Sequence, residues 1–174
     1  MTVKKILFKM ILLVVFVAIL GAFFAKVEIQ IEGDQGWAKG LPTWRIEKHW
    51  MLDVFWGGRA MTGYHAWIFS FMFLVFHIPI FISGSINFQL EIRILGSLMF
   101  FWLIEDFLWF IFNPAYGFAK FLPIHIPWHK HWFLSMPFDY WLFFILGSFL
   151  LLYSFRREYI NKKKSEAVKQ DSSD

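Results

Sequence analysis

Residues 92–112 read IRILGSLMFFWLIEDFLWFIF, and their interpretation decides the fold. At 1.5 Å per residue, a helix of about 20 apolar residues crosses the hydrocarbon layer of a bilayer, and this stretch is that long. Two neighbouring acids, Glu105 and Asp106, interrupt it. Each ionised carboxylate at such a depth costs on the order of 2.5–3.5 kcal/mol even on the most lenient insertion scale. A span that carries two of them must find partners for them inside the protein.

Three further apolar segments accompany this one, at residues 6–25, 60–82 and 138–155. Hydrophobic residues make up 58% of the 174-residue chain, above the roughly 45–50% of soluble domains, so the excess calls for a lipid-facing surface. The expected fold class is an all-α integral membrane protein: a four-transmembrane-helix bundle with an outer cap formed by the two long loops, 26–59 and 113–137. Residues 1–160 make one polytopic domain, and residues 161–174 read as a disordered, basic cytoplasmic tail. The first segment reads as an uncleaved anchor. Its apolar run exceeds the 7–15 residues of a signal peptide, and a cut after Ala25 would put Phe23 where a small residue is required.

Basic residues set the orientation. Lys4, Lys5 and Lys9 precede the first span, and Arg156, Arg157, Lys162, Lys163, Lys164 and Lys169 follow the last. The two long loops have no such excess, which places both termini in the cytoplasm of a plasma-membrane protein. The same distribution excludes nucleic acid as a partner, because the charge flanks the spans instead of forming a patch on a folded face. The expected partners are membrane lipids, with other membrane proteins or further copies of the chain. Many of the ten Trp flank the apolar runs, as amphipathic rings do at the headgroup level. Absence of cysteine excludes disulfides, iron–sulfur clusters and thiolate-bound zinc.

Within the first long loop, the alternation Val27-Glu28-Ile29-Gln30-Ile31 predicts a short strand. Asp34-Gln35-Gly36 and Leu41-Pro42 predict turns. Residues 44–56 predict an amphipathic helix, with Gly57-Gly58 turning the chain into the second span.

Candidate partners for the acids come from both sides in sequence. His65 stands about one turn inside the second span, and His125, His129 and His131 follow in the second long loop. Pro123 and Pro127 break any continuous helix there. An extended run would then pair His129 with His131 as a two-ligand clip, because alternate residues share a side, with Asp139 beside them. His77, about 18 Å further along its helix than His65, belongs instead with Asn87, Glu91 and Arg93 at the opposite end. On the third span Glu105 and Trp109 share a face, while Glu105 and Asp106 diverge by about 100°.

Imidazole nitrogens and carboxylate oxygens are the donor set of zinc, iron, manganese or copper. The expected metal ligands are His65, Glu105, Asp106, His129 and His131. Glu105 or Asp106 would double as general base, and Arg59 or Tyr64 would stabilise developing negative charge. The function this predicts is a small multi-pass, metal-dependent membrane enzyme, a hydrolase or oxidase acting on a lipidic substrate from a site in the outer half of the bilayer. Two other readings compete. In an accessory or assembly subunit the acids would be interhelical salt bridges, as buried ion pairs often are, and the loop histidines ordinary interfacial residues. In an oligomeric proton-coupled transporter Asp106 would titrate. The chain contains neither a His-Glu-x-x-His motif nor the paired Glu-x-x-His of di-iron bundles, and no phosphate-binding loop, dinucleotide fingerprint or nucleophile elbow.

Overall fold

A computed structural model describes residues 3–55 and 58–171. Helices α1 (Val3–Glu32), α3 (Gly63–Ser83), α4 (Phe88–Phe112) and α5 (Phe138–Asp171) dominate it, with a six-residue helix α2 (Trp50–Phe55) between the first two. A single 3-10 turn (Phe118–Lys120) and two short antiparallel ribbons complete the described structure. In one, β1 (Arg45–Ile46) pairs with β2 (Met61–Thr62), and in the other β3 (Trp132–Phe133) pairs with β4 (Met136–Pro137). The four long helices are each long and apolar enough to cross a membrane.

α4 is the central helix. Its ends are set locally: Asn87 caps the N-terminus by accepting from the amides of Gln89 and Leu90, and Asn113, followed by Pro114, closes the C-terminus. It makes extensive interfaces with α1 and α5, whereas α3 touches it more sparsely. Small residues permit the close crossings. A Cβ on Gly21 of α1 would stand 3.3 Å from the Glu105 amide nitrogen and the Phe101 carbonyl oxygen. Gly96 of α4 meets Leu151 and the Gly147 carbonyl of α5 in the same way. Such small-residue contacts are what helix association in lipid relies on, since apolar burial gives little drive there.

The strand expected at residues 27–31 is helical, and α1 runs on to Glu32. The reason is its buried stripe, Val17, Gly21, Ala25, Glu28 and Glu32, spaced four, four, three and four apart on one helical face. Val27 and Ile31 are exposed, so the alternation reflects a helix end with an apolar outer side. Of the helix expected over residues 44–56, only Trp50–Phe55 is helical, because Arg45–Ile46 is taken up by pairing with Met61–Thr62. Trp56 and Gly57 lie outside the described residues. α5 also continues far beyond residue 155, so the tail expected to be disordered is helical through Asp171. Extending an existing helix is cheap compared with nucleating one, and Lys162 pairs with Glu158 one turn back.

Both long connections return to the same end of the bundle. Asn113 donates from Nδ2 to the Gly33 carbonyl (2.9 Å). Phe121 and Ile126 are buried against Trp109 and Phe110 of α4 and Tyr140 of α5. The opposite end is tied by Arg93 of α4, which binds Glu158 of α5 at 2.8 Å, while Lys9 of α1 reaches the same carboxylate at 3.0 Å. His77 pairs with Glu91 at 3.0 Å, one of the three neighbours the sequence suggests for it.

Candidate functional site

Glu105 and Asp106 both point into the protein, but to different neighbours. The turn of about 100° between adjacent helical positions aims Glu105 at α1 and Asp106 at α5 and the second long connection. Two clusters result, and they line one cavity of about 520 Å³.

The first cluster joins α1, α3 and α4. Glu28, Glu32 and His65 each offer a ligand atom within 4.8 Å of the others, and all are shielded, at 7%, 9% and 3% exposure. His65 Nε2 stands 3.7 Å from Glu32 Oε1, and its Nδ1 is 2.6 Å from Thr62 Oγ1. Thr62 also caps α3, since Oγ1 accepts from the His65 amide. One residue thus starts the helix and orients the imidazole. The Trp37 indole stacks on His65 with centroids 4.0 Å apart. Tyr64 donates its hydroxyl to Glu28 (2.9 Å). Glu105 completes the group: its carboxyl is in contact with that of Glu28, while its Oε1 is buried without a hydrogen-bond partner among the described residues.

Glu32 is gripped by the loop that follows it. Trp37 and Ala38 adopt left-handed conformations with φ 48° and 51°, uncommon for residues with a Cβ. Successive amides in such a turn converge on an anion, and the Ala38 amide donates to Glu32 Oε1 at 2.5 Å. Strained backbone persists only where its surroundings enforce it. Here Arg45 donates to the carbonyls of Trp37 and Ala38, and the Trp37 indole donates to the Ala60 carbonyl (2.8 Å).

The second cluster joins α4, α5 and the two connections. Asp106 Oδ2 accepts from Tyr140 Oη and from His129 Nε2, the latter at 3.1 Å. Arg59 forms an ion pair with Asp139, and its Nη2 is 3.0 Å from His129 Nδ1. Guanidinium only donates, so Nδ1 is the acceptor and Nε2 carries the proton given to Asp106. Burial, reinforced by the nearby guanidinium and opposed by Asp106, holds the His129 imidazole below its ordinary pKa. Burial also lowers the Arg59 guanidinium, against the pull of Asp106.

Of the five residues expected to ligate a metal, His65 groups with Glu28 and Glu32, and Glu105 reaches that group through Glu28. Asp106 and His129 are joined to each other in the neighbouring cluster, with both His129 nitrogens engaged. His131 is exposed at the rim of the cavity, and the expected clip with His129 does not form. The segment is not extended: the His129 amide bonds to the Ile126 carbonyl at 3.2 Å, a turn that sends Ile126 and His129 inward together. Arg59 sits in the second cluster and Tyr64 in the first. Glu28 and Glu32 are the residues the sequence reading left in the loop. Their signal is the continued helical spacing from Val17 and Ala25.

No family model matches this chain, and no curated protein or solved structure matches it.

Proposed function

We propose that this chain is a four-span membrane enzyme that holds a divalent cation between Glu28, Glu32 and His65, with Glu105 beside it. The observation that carries this reading is an imbalance of charge. The second cluster opposes its acids with Arg59, whereas the first gathers Glu28 and Glu32 beside His65, with Glu105 against Glu28. Among the described residues no Lys or Arg is salt-bridged to these carboxyls, and Arg59 and Arg45 act on His65 only from a distance. Acids packed this closely need a cation or shared protons between them. With donor atoms at about 2.1 Å from an ion, the 3.7 Å separation of His65 Nε2 and Glu32 Oε1 subtends about 120°, a ligand angle such ions accept. Nδ1–H donation to Thr62 would leave the Nε2 lone pair free, the outer-shell arrangement that orients ligating imidazoles. An oxygen-rich set with one imidazole suits manganese, iron or zinc better than copper.

A cation in that place would supply a Lewis acid and an activated water. The spare Glu105 oxygen is placed to act as base, and the Asp106–His129–Arg59–Tyr140 network positions α4 against α5. The loops around residues 33–44 and 113–137 form a cap on the outer face, with both termini cytoplasmic, as the basic flanks require. The substrate is lipidic and the reaction hydrolysis or oxidation.

Elemental analysis of detergent-purified protein, after exposure to manganese, iron, zinc or copper and removal of excess metal, tests the reading. About one ion per chain is expected, strongly reduced in Glu32→Gln and His65→Ala and unchanged in His131→Ala. Absence of metal from the wild type, or equal metal in His65→Ala and Glu32→Gln, would refute it.

A further inference from the structure

The cavity has a second, apolar half that the metal reading does not use. From the acidic cluster it extends along α4 between α3 and α5, over Leu98 and Trp102, with Phe69 and Phe73 on one side and Leu142 and Phe143 on the other. α3 and α5 make no substantial interface that would close this gap. Phe73 and Leu142 are 46% and 44% exposed, so the gap opens sideways on the apolar surface of helices long enough to cross a membrane. Trp102 packs edge-on against Phe69, with centroids 4.4 Å apart, and this contact floors the groove.

In the polar half of the cavity, among the described residues, two buried N–H groups lack partners: Trp109 Nε1, on the residue one turn beyond Glu105 toward the connections, and Arg59 Nε. Both residues line the same cavity. Buried unpaired donors are costly, on the order of 1–3 kcal/mol each, and native structures rarely leave them so. They call for acceptor oxygens from an occupant. Neither can be met by an alkyl chain alone.

We propose that this lateral groove binds one long acyl chain, with the chain's ester or amide oxygens received by the Trp109 indole and Arg59 guanidinium N–H groups. This rests on the enzyme reading only for its chemistry, since the groove and donors exist without a cation. It names the lipid class as an acyl ester or amide entering from the bilayer, with its carbonyl beside the Glu28–Glu32–His65 centre. An anionic head is disfavoured by the surrounding acids.

The test is photo-crosslinking of the full chain in maltoside micelles, which contain no acyl ester. One probe is a sixteen-carbon acyl methyl ester with a mid-chain diazirine, and the other an alkane of equal length with the same diazirine. Labelled residues are located by mass spectrometry, and metal content is measured on the same samples. The ester should label Phe69, Phe73, Leu142 and Phe143 several-fold more than Phe8 and Phe16 on the exposed face of α1, and the alkane should show no such preference. Trp109→Phe, which keeps the ring and removes the donor, should lower groove labelling about three- to tenfold, the worth of one hydrogen bond. Leu98→Trp should block it. Identical patterns for both probes, groove labelling no greater than on α1, or labelling indifferent to Trp109→Phe would overturn the proposal. Groove labelling without bound metal would leave the lipid site standing and remove the metal. Bound metal without groove labelling would do the reverse.

Discussion

Replacing Glu32 by Gln separates a metal centre from a merely structural cluster of acids, because the two assign opposite signs to one variant. The Gln carbonyl can still accept from the Ala38 amide that donates to Glu32, so the loop contact survives. The anionic ligand does not. A cation present at a hundredfold excess over its Kd adds about 2.7 kcal/mol to the folded state. For a chain of this size each kcal/mol moves Tm by about 2–4 °C, so the metal should raise the wild-type Tm by about 5–11 °C. In Glu32→Gln that gain should nearly vanish. In chelator the order reverses: removing one of three neighbouring carboxyls relieves like-charge repulsion, and the variant should melt at or above the wild type. Asp106→Asn should behave differently, melting lower in both conditions while keeping the metal-dependent gain. Differential scanning fluorimetry in detergent, with chelator and with each metal, reads all of this. A wild type indifferent to manganese, iron, zinc and copper would refute the reasoning. So would a Glu32→Gln protein that keeps the gain, or one that melts far below wild type in chelator.

Three further outcomes follow from the geometry. Because burial holds His129 below its ordinary value, the unfolded chain takes up a proton that the folded chain refuses. Stability should therefore rise with pH across the window below about 6.5 and be lost as pH falls through it; His129→Gln should flatten that slope in melts recorded across the same pH range. Arg59→Leu removes the cation between Asp139 and His129 and should cost about 3 kcal/mol, the low end for breaking a buried pair. The low end applies because the Asp139 side chain is 34% exposed, and denaturant titration measures the loss. Gly36 has φ +64°, and a Cβ there would meet the Trp128 ring at 2.9 Å. Gly36→Ala should therefore cost about 1–3 kcal/mol and lower Tm in the same assay.

Much of this was legible in the sequence. The long apolar runs, the turn at Asp34-Gln35-Gly36 and the meeting of Asp106 with His129 accord with span length, side and helical spacing, whereas Glu105 turns instead to Glu28. What was missed has three physical causes. Val27-Glu28-Ile29-Gln30-Ile31 satisfies period two over five residues, and that window is too short to outweigh a strand reading. Only its phase relative to Val17, Gly21 and Ala25 shows that Glu28 and Glu32 continue a buried helical stripe. The pairing of His129 with His131 failed because two prolines exclude a helix without implying an extended chain. A turn at Ile126–His129 satisfies the same prolines and reverses which residues face inward. The left-handed pair Trp37-Ala38 could not be read at all, since neither residue favours that conformation and only the surrounding contacts enforce it.

The adjacency of Glu105 and Asp106 explains why two clusters of different character occupy one cavity. Consecutive positions on a helix cannot serve the same partner, so α4 contributes one acid to each side. On the α5 side the acid meets Tyr140, His129 and Arg59, groups that satisfy it within the chain and lock two helices together. On the α1 side the acid meets Glu28, and the close approach of α1 at Gly21 brings these carboxyls together where larger residues would hold them apart. Had packing alone been at stake, the α1 face could have continued its run of small and apolar residues at positions 28 and 32. Instead it carries acids there, adds a histidine oriented by its own helix cap, and strains two loop residues to grip one carboxylate. Each of these features costs stability in the isolated fold, and the cation proposed above would offset them together.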